Sequence, residues 1–259
     1  VAVQRQRDAA SDAFEVVLPI LNDRRSETVR LKTSVVAGET IELPALADEP
    51  RGAGSIRTVT VSADPAIIGL VGAASFMVSY PYACTEQRIA RVRTGLALAN
   101  FGDAIGLVRE QEALLHGLDE TLKWIEAAID RRGLVAYWPG GRGYVSLTAW
   151  ALQMVVAAEA AGHTVPEALS TRLVTSLRRA LRSDFPALVP GSEFAERAWA
   201  LAALTEAGIG DTGYGAELAL RAQFFSVENL SQIVRVLAVE EAADADQIGS
   251  LADMLWAAI

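Results

Sequence analysis

The sequence predicts a mainly α protein: an array of helices preceded by a small antiparallel β segment. Three observations predict it. The 259 residues are 51% hydrophobic but only 7% aromatic, and the apolar share is rich in Ala and Leu, which favour helices. From Asp64-Pro65 onward the apolar residues recur at helical spacing. Before that point, short runs alternate apolar and polar residues between Gly and Pro punctuation. The two patterns divide the chain into a β segment over 1–64 and a helical domain over 65–259.

The β segment is read as four strands. Phe14 to Ile20 is the first, and Thr28 to Thr33 alternates as a half-buried strand should. Thr40 to Pro44 follows Gly38-Glu39 as its hairpin partner, and Ser55 to Ser62 follows Gly52-Ala53-Gly54. Four short strands are thin for an independent sandwich.

In the helical part, Asp64 reads as an N-cap and Pro65 suits a first helical position. Helices are expected at 66–78, 86–101, 104–115, 119–131, 145–161, 166–183, 193–207, 214–224, 227–241 and 245–259. Gly102, Gly117, Gly133, Gly162 and Gly208 fall near their C-terminal ends. The segments 66–78 and 145–161 are apolar nearly all round. Those at 119–131 and 166–183 carry Glu126, Asp130, Arg131, Arg172, Arg178, Arg179 and Arg182 to one side. Interleaved buried and amphipathic helices describe two concentric layers, an α/α toroid. An ordinary helical solenoid would share the pattern. Ten helices leave a twelve-helix ring unfinished.

The formal net charge of −9 argues against nucleic acid and anionic membranes as partners. The run 66–83 is uncharged but holds Gly69, Gly72, Ser75, Ser79 and Pro81 and has no basic flank, so it reads as a buried core helix and not a membrane span. The start, Val1 to Asp8, lacks the apolar core of a signal peptide. With no initial Met and an end inside an apolar helical pattern, the chain reads as a piece of a larger protein.

The one cysteine lies in Tyr80-Pro81-Tyr82-Ala83-Cys84-Thr85-Glu86-Gln87. Pro81 pushes Tyr80 towards an extended conformation, so one helix stops and another starts near Thr85. Cys84 then sits at a helix N-terminus, where the dipole favours a thiolate. Gln87, three residues on, shares its face of the turn, within reach of the sulfur. Loss of ammonia would close an internal thioester. Read alone, a lone cysteine is a buried, inert thiol. Glu86 between the partners is read as charge stabilisation of the helix start.

These words resemble the thioester site of bacterial alpha-2-macroglobulins, through Cys-x-Glu-Gln together with its aromatic-Pro-aromatic lead-in at Tyr80, Pro81 and Tyr82. One position departs: the family has Gly before the cysteine, where this chain has Ala83. Gly133-Leu134-Val135-Ala136-Tyr137-Trp138-Pro139-Gly140-Gly141, followed by Tyr144 to Leu152, also resembles a turn and helix of these domains. Locally it is a turn whose aromatics wedge between hairpins.

The resemblance implies an α/α toroid inserted in a CUB-like sandwich, with 1–64 as its first half. It implies a broad-spectrum endopeptidase inhibitor of the periplasm or cell envelope, working in bacterial envelope defence. A protease cuts a bait region elsewhere in the parent. The exposed Cys84–Gln87 thioester then captures one of its lysine amines, a single-use reaction and not enzymatic turnover. The other macroglobulin domains of the same chain are further partners. Two rivals remain at this point: a structural or interaction member of the family without the thioester, and an α/α-toroid enzyme acting on glycans or isoprenoids.

Other chemistry finds little support. One Cys and two distant histidines give no zinc spacing, and no metal or cofactor is implied. His116 and His163 flank Gly at helix ends and are read as C-terminal caps. Glu240-Glu241 and Asp244-x-Asp246 read as a solvated helix end. Neither a phosphate loop nor a Gly-x-Ser-x-Gly elbow occurs.

Overall fold

The structure is a computed structural model describing residues 2–4, 7, 11–13, 31, 33–43, 59–81, 83–239 and 245–258. The chain forms two compact units, 1–61 and 62–259. In the first, β1 (Ala2–Gln4) pairs antiparallel with β2 (Ser11–Ala13), Val3 opposite Asp12. The sequence placed strands elsewhere. That at 14–20 lies outside the described residues, and the described parts of those at 28–33, 40–44 and 55–62 form no strand. Around Gly38 (φ +90°) the chain instead makes a turn, in which the Glu39 N–H donates to the Val36 carbonyl at 3.0 Å. Leu31, Val36, Val59 and Val61 are all exposed. Alternation makes a strand only where a neighbour completes the ladder and a layer covers the apolar face. These side chains have no such cover among the described residues.

The second unit is helical: α1 (Pro65–Ser79), α2 (Thr85–Leu98), α3 (Val108–Leu115), α4 (Leu118–Ala128), α5 (Val145–Ala160), α6 (Glu167–Ala180), α7 (Glu193–Glu206), α8 (Thr212–Ala219), α9 (Val227–Leu237) and α10 (Ala245–Ala257). Every expected helix is present. Several ends move, each for a local reason. α2 stops at Leu98 because the Phe101 and Gly102 amides both turn back onto the Leu98 carbonyl, at 3.1 and 2.6 Å. α3 starts four residues late, since Gly106 adopts φ +72°, a left-handed conformation that a helix cannot contain. α4 ends at Ala128, where Ile129 becomes extended and bridges to Val135. Asp130 and Arg131 are therefore beyond the helix on which the sequence placed them. The segment at 214–224 divides into α8 and a 3₁₀ turn, Ala222–Phe224.

α2, α5, α7 and α9 pack side by side in that order. α4 lies on α2, α6 spans α5 and α7, α8 lies on α7 and α9, and α10 lies on α9. The extensive helix contacts thus link each helix to a few near neighbours along the chain. The main core lies between α2, α4, α5, α6 and α7, and a second core joins α7 to α8, α9 and α10. α7 serves both from opposite sides, with Ala200, Ala203 and Leu204 in the first and Ala198, Leu201 and Ala202 in the second. Its small residues allow close approach on both flanks.

α5 is buried almost throughout, as an all-round apolar helix should be. α1 is not, although its sequence is as apolar. Ala74 is buried, but Phe76 is 55% exposed, because among the described residues α1 packs mainly on α2 and α3. Among the described residues, no helix is long and apolar enough to cross a membrane.

Candidate functional site

Cys84 is the N-cap of α2, extended at φ −67° and ψ 167°, and only 8% exposed. Gln87 occupies the third helical position. Its side chain folds back along the first turn, and its Oε1 accepts the Cys84 N–H at 3.1 Å. The two residues form a capping box, a reciprocal arrangement that satisfies amides a helix start leaves open. The carboxamide of Gln87 therefore lies against Cys84. Glu86, exposed, adds a negative charge to the same first turn.

Thr85 joins this turn to the second motif. Its N–H donates to the Tyr137 carbonyl at 2.9 Å. Its hydroxyl lies 2.7 Å from the Ala136 carbonyl oxygen and 2.9 Å from that of Tyr137, and it accepts the Trp124 indole N–H at 2.8 Å. On the other side of Cys84, the Arg88 Nε–H donates to the Ala83 carbonyl at 2.9 Å. The Arg88 guanidinium lies 4.2 Å over the Trp124 ring. The two sequence motifs, about fifty residues apart, thus meet at the N-terminus of α2, through backbone carbonyls of the second.

The connection carrying those carbonyls is built around Asp130. Its Oδ1 accepts the amides of Arg132 (2.8 Å) and Leu134 (3.1 Å), and its Oδ2 accepts the Gly143 amide at 3.0 Å. The Arg132 guanidinium adds bonds of 2.9 and 3.1 Å to Oδ2. Burial alone would raise this carboxyl, but the donors from Gly143, Arg132 and Leu134 outweigh it and hold it below the ordinary carboxylate value. Antiparallel bridges Ile129–Val135 and Ala136–Gly143 align the segment, and the buried Thr148 hydroxyl accepts the Val135 N–H at 2.9 Å. In the Trp138-Pro139-Gly140-Gly141 turn, Gly140 has φ +79° and the Gly141 N–H donates to the Trp138 carbonyl at 3.0 Å.

The aromatic rings surround this framework without filling it. Trp138 stands edge-on to Trp124 at 5.8 Å, and Tyr137 edge-on to Tyr144 at 5.5 Å. Trp138 is nonetheless 54% exposed and Tyr137 41%. The sequence read these rings as wedges, whereas the backbone beneath them makes the connection. The Tyr137 phenol is pushed up from its usual value, first by burial and then by the nearby Glu86 carboxylate. Tyr80 is half-buried and stacks on Phe76 at 5.1 Å, while Pro81 is exposed. Tyr82 lies outside the described residues.

Sequence reading missed Thr85, Arg88, Trp124 and Asp130 as parts of this site. Thr85 is the variable letter of its motif, and the others carried no local signal beyond helix-face polarity. His116 takes the C-cap position of α3, as expected. Among the described residues, no group of three His, Cys, Asp or Glu could hold a metal ion. A cleft of about 270 Å³ is lined by Glu159 and Glu206 on an apolar floor and lacks Cys84 and Gln87. Both carboxylates already have partners, Ser170 for Glu159, and Gln153 and Arg235 for Glu206.

No protein-family model matches the sequence, and no curated protein does. Solved structures do match. Native Escherichia coli alpha-2-macroglobulin, in a crystal structure from domain MG7 to the C-terminus, is 21% identical with a TM-score of 0.60, over 72% of this chain and 30% of that one. The native E. coli protein seen by cryo-electron microscopy is 21% identical, with a TM-score of 0.61 over 73% and 12%. Salmonella alpha-2-macroglobulin reacted with methylamine is 22% identical, with a TM-score of 0.60 over 73% and 13%. Likeness at this identity establishes a shared fold. The chain spans less than a third of any of these three.

Proposed function

We propose that this chain is a piece of a bacterial alpha-2-macroglobulin and that Cys84 and Gln87 form an internal thioester used to trap proteases. The observation carrying this reading is the Gln87 side chain folded back onto Cys84, with its carbonyl oxygen 3.1 Å from the Cys84 amide at a buried helix start. The shared fold with macroglobulins supports it, as does the reaction of the Salmonella protein with methylamine.

In the forming step, Cys84 Sγ bonds to Gln87 Cδ, the Cδ–N bond breaks, and ammonia leaves with the thiol proton. Burial of Cys84 keeps water from the product. In the trapping step, a lysine amine of the protease bonds to Gln87 Cδ. The Cδ–S bond breaks, and the amine proton passes to the leaving Cys84 thiolate. The result is a stable amide, and the site is spent. The reading extends to domain organisation: 1–64 as the first half of a CUB-like sandwich and 65–259 as a toroidal thioester domain. It further places the parent in the periplasm or cell envelope, with a bait region and neighbouring macroglobulin domains elsewhere in its chain.

The test is the intact mass of freshly purified protein before and after methylamine, with thiol titration alongside. A thioester makes the chain lighter by about 17 Da, and methylamine then adds to Gln87 and releases one thiol. Cys84→Ser should restore the full mass and take up no methylamine. Full mass with one free thiol, in this chain and in the longer parent, would overturn the reading and favour a family member kept for its shape, with Ala83 as its mark.

A further inference from the structure

Thr85 is the residue whose identity the Cys-x-Glu-Gln pattern leaves open, yet it is completely buried and holds several polar contacts. A hydroxyl has one proton to give and two lone pairs. Here the proton serves the Ala136 and Tyr137 carbonyls, and a lone pair takes the Trp124 indole N–H. The orientation is therefore fixed from both directions. The peptide group before Cys84 is held as well, by Arg88 on the Ala83 carbonyl, and the Arg88 guanidinium rests on the same Trp124 ring. The peptide groups on both sides of Cys84 are thus tethered, and the two tethers end on one indole.

We infer that Thr85 is a positioning residue for the Cys84–Gln87 pair, with Trp124 as the shared anchor. The inference rests on the thioester reading above. Helix ends fray, and Cys84 and Gln87 straddle the first turn of α2. Bond formation between them requires Sγ and the carboxamide to stay in near-attack geometry, so fixing that turn raises the fraction of time they can react. Thr85 gives and takes no proton in the step. It holds the turn against the 136–137 backbone, which keeps the pair aligned and water out.

The experiment compares Thr85→Val, Thr85→Ser and Trp124→Phe with the parent sequence, each in the whole chain and below its own melting temperature. Thr85→Val keeps the shape but leaves the indole N–H without an acceptor and two carbonyls without the hydroxyl. It should lower the lighter, thioester-bearing fraction or speed its hydrolysis roughly tenfold, the effect of one unmade buried hydrogen bond. Thr85→Ser restores the hydroxyl and should restore the thioester, a rescue that general loss of packing would not give. Trp124→Phe removes the indole donor and shortens the ring beneath Arg88, so it tests the shared anchor from the other side if Thr85→Val does not fold. Thr85→Val with the parent's thioester fraction and hydrolysis rate would overturn the positioning role and leave the thioester intact. If the parent sequence itself shows full mass, the thioester reading fails and the Cys84 alkylation rate decides the clamp. Faster alkylation in Thr85→Val than in Thr85→Ser upholds the tethering, and equal rates overturn it.

Discussion

Replacing Asp130 by alanine should weaken the fold and loosen the site together. The Leu134 and Gly143 amides each give their hydrogen bond to this carboxylate, and both residues are buried. A buried amide left without an acceptor costs about 1–3 kcal/mol. The bond to Arg132 counts for little, since that side chain is 36% exposed. With water relieving part of the loss at the edge of the segment, Asp130→Ala should lower stability by about 2–4 kcal/mol. Urea unfolding at neutral pH reads this as a lower midpoint with unchanged slope. The pH dependence has a definite sign. The folded carboxyl lies below its ordinary value of 3.8. Its stabilisation is complete above that pH and is lost as pH falls through the folded value. Measured against Asp130→Asn, the parent's advantage should therefore shrink as pH falls through this acid window. Because the same segment presents the Ala136 and Tyr137 carbonyls to Thr85, Asp130→Ala should also shorten the lifetime of any thioester. An Asp130→Ala protein within about 0.5 kcal/mol of the parent would refute the reasoning, since that is the range of a surface substitution with no structural role.

Other substitutions probe other parts of the same argument. Gly143→Ala would drive its Cβ into the Leu134 backbone carbonyl, and a loss of roughly 1–3 kcal/mol is expected in chemical unfolding. Gly140→Ala meets nothing within 4 Å, but its φ of +79° should still cost about 1–2 kcal/mol, which separates backbone strain from crowding. Glu196 is 5% exposed and accepts the Val189 amide at 2.7 Å. Burial, opposed by donors from Val189, Val145 and Ser146, pushes its carboxyl above 4.5. The folded state therefore holds this proton more tightly than the unfolded one, and stability measured against Glu196→Gln should fall as pH rises from about 4.5 through the folded value. Leu152→Ala, at the centre of the main core and 1% exposed, should lose about 2–5 kcal/mol in the same unfolding assay.

The helices were legible because their signal is local. Apolar residues over fourteen or sixteen positions mark α5 and α7 regardless of their partners. Their ends were less legible. Gly106 and Ile129 act through one backbone angle each, which composition does not display. The degree of burial was not legible either. α1 and α5 look alike in sequence, yet among the described residues α5 is far more buried, packed between α2, α6 and α7. For the same reason, alternation at 59–62 did not become a strand, because a strand is completed by a partner that the local run cannot specify.

For the site, sequence alone placed Cys84 and Gln87 on one helical turn, since three residues of helix leave few alternatives. It could not show that the 133–143 segment returns to that turn, because contacts across fifty residues depend on how α2, α4 and α5 pack. Only the tertiary structure made Thr85 the junction of the two motifs, Trp124 the anchor of both tethers, and Asp130 the organiser of the segment between. The proposed chemistry rests on residues close in sequence. The positioning of that chemistry was set by hydrogen bonds whose donors and acceptors meet only after the helices have packed.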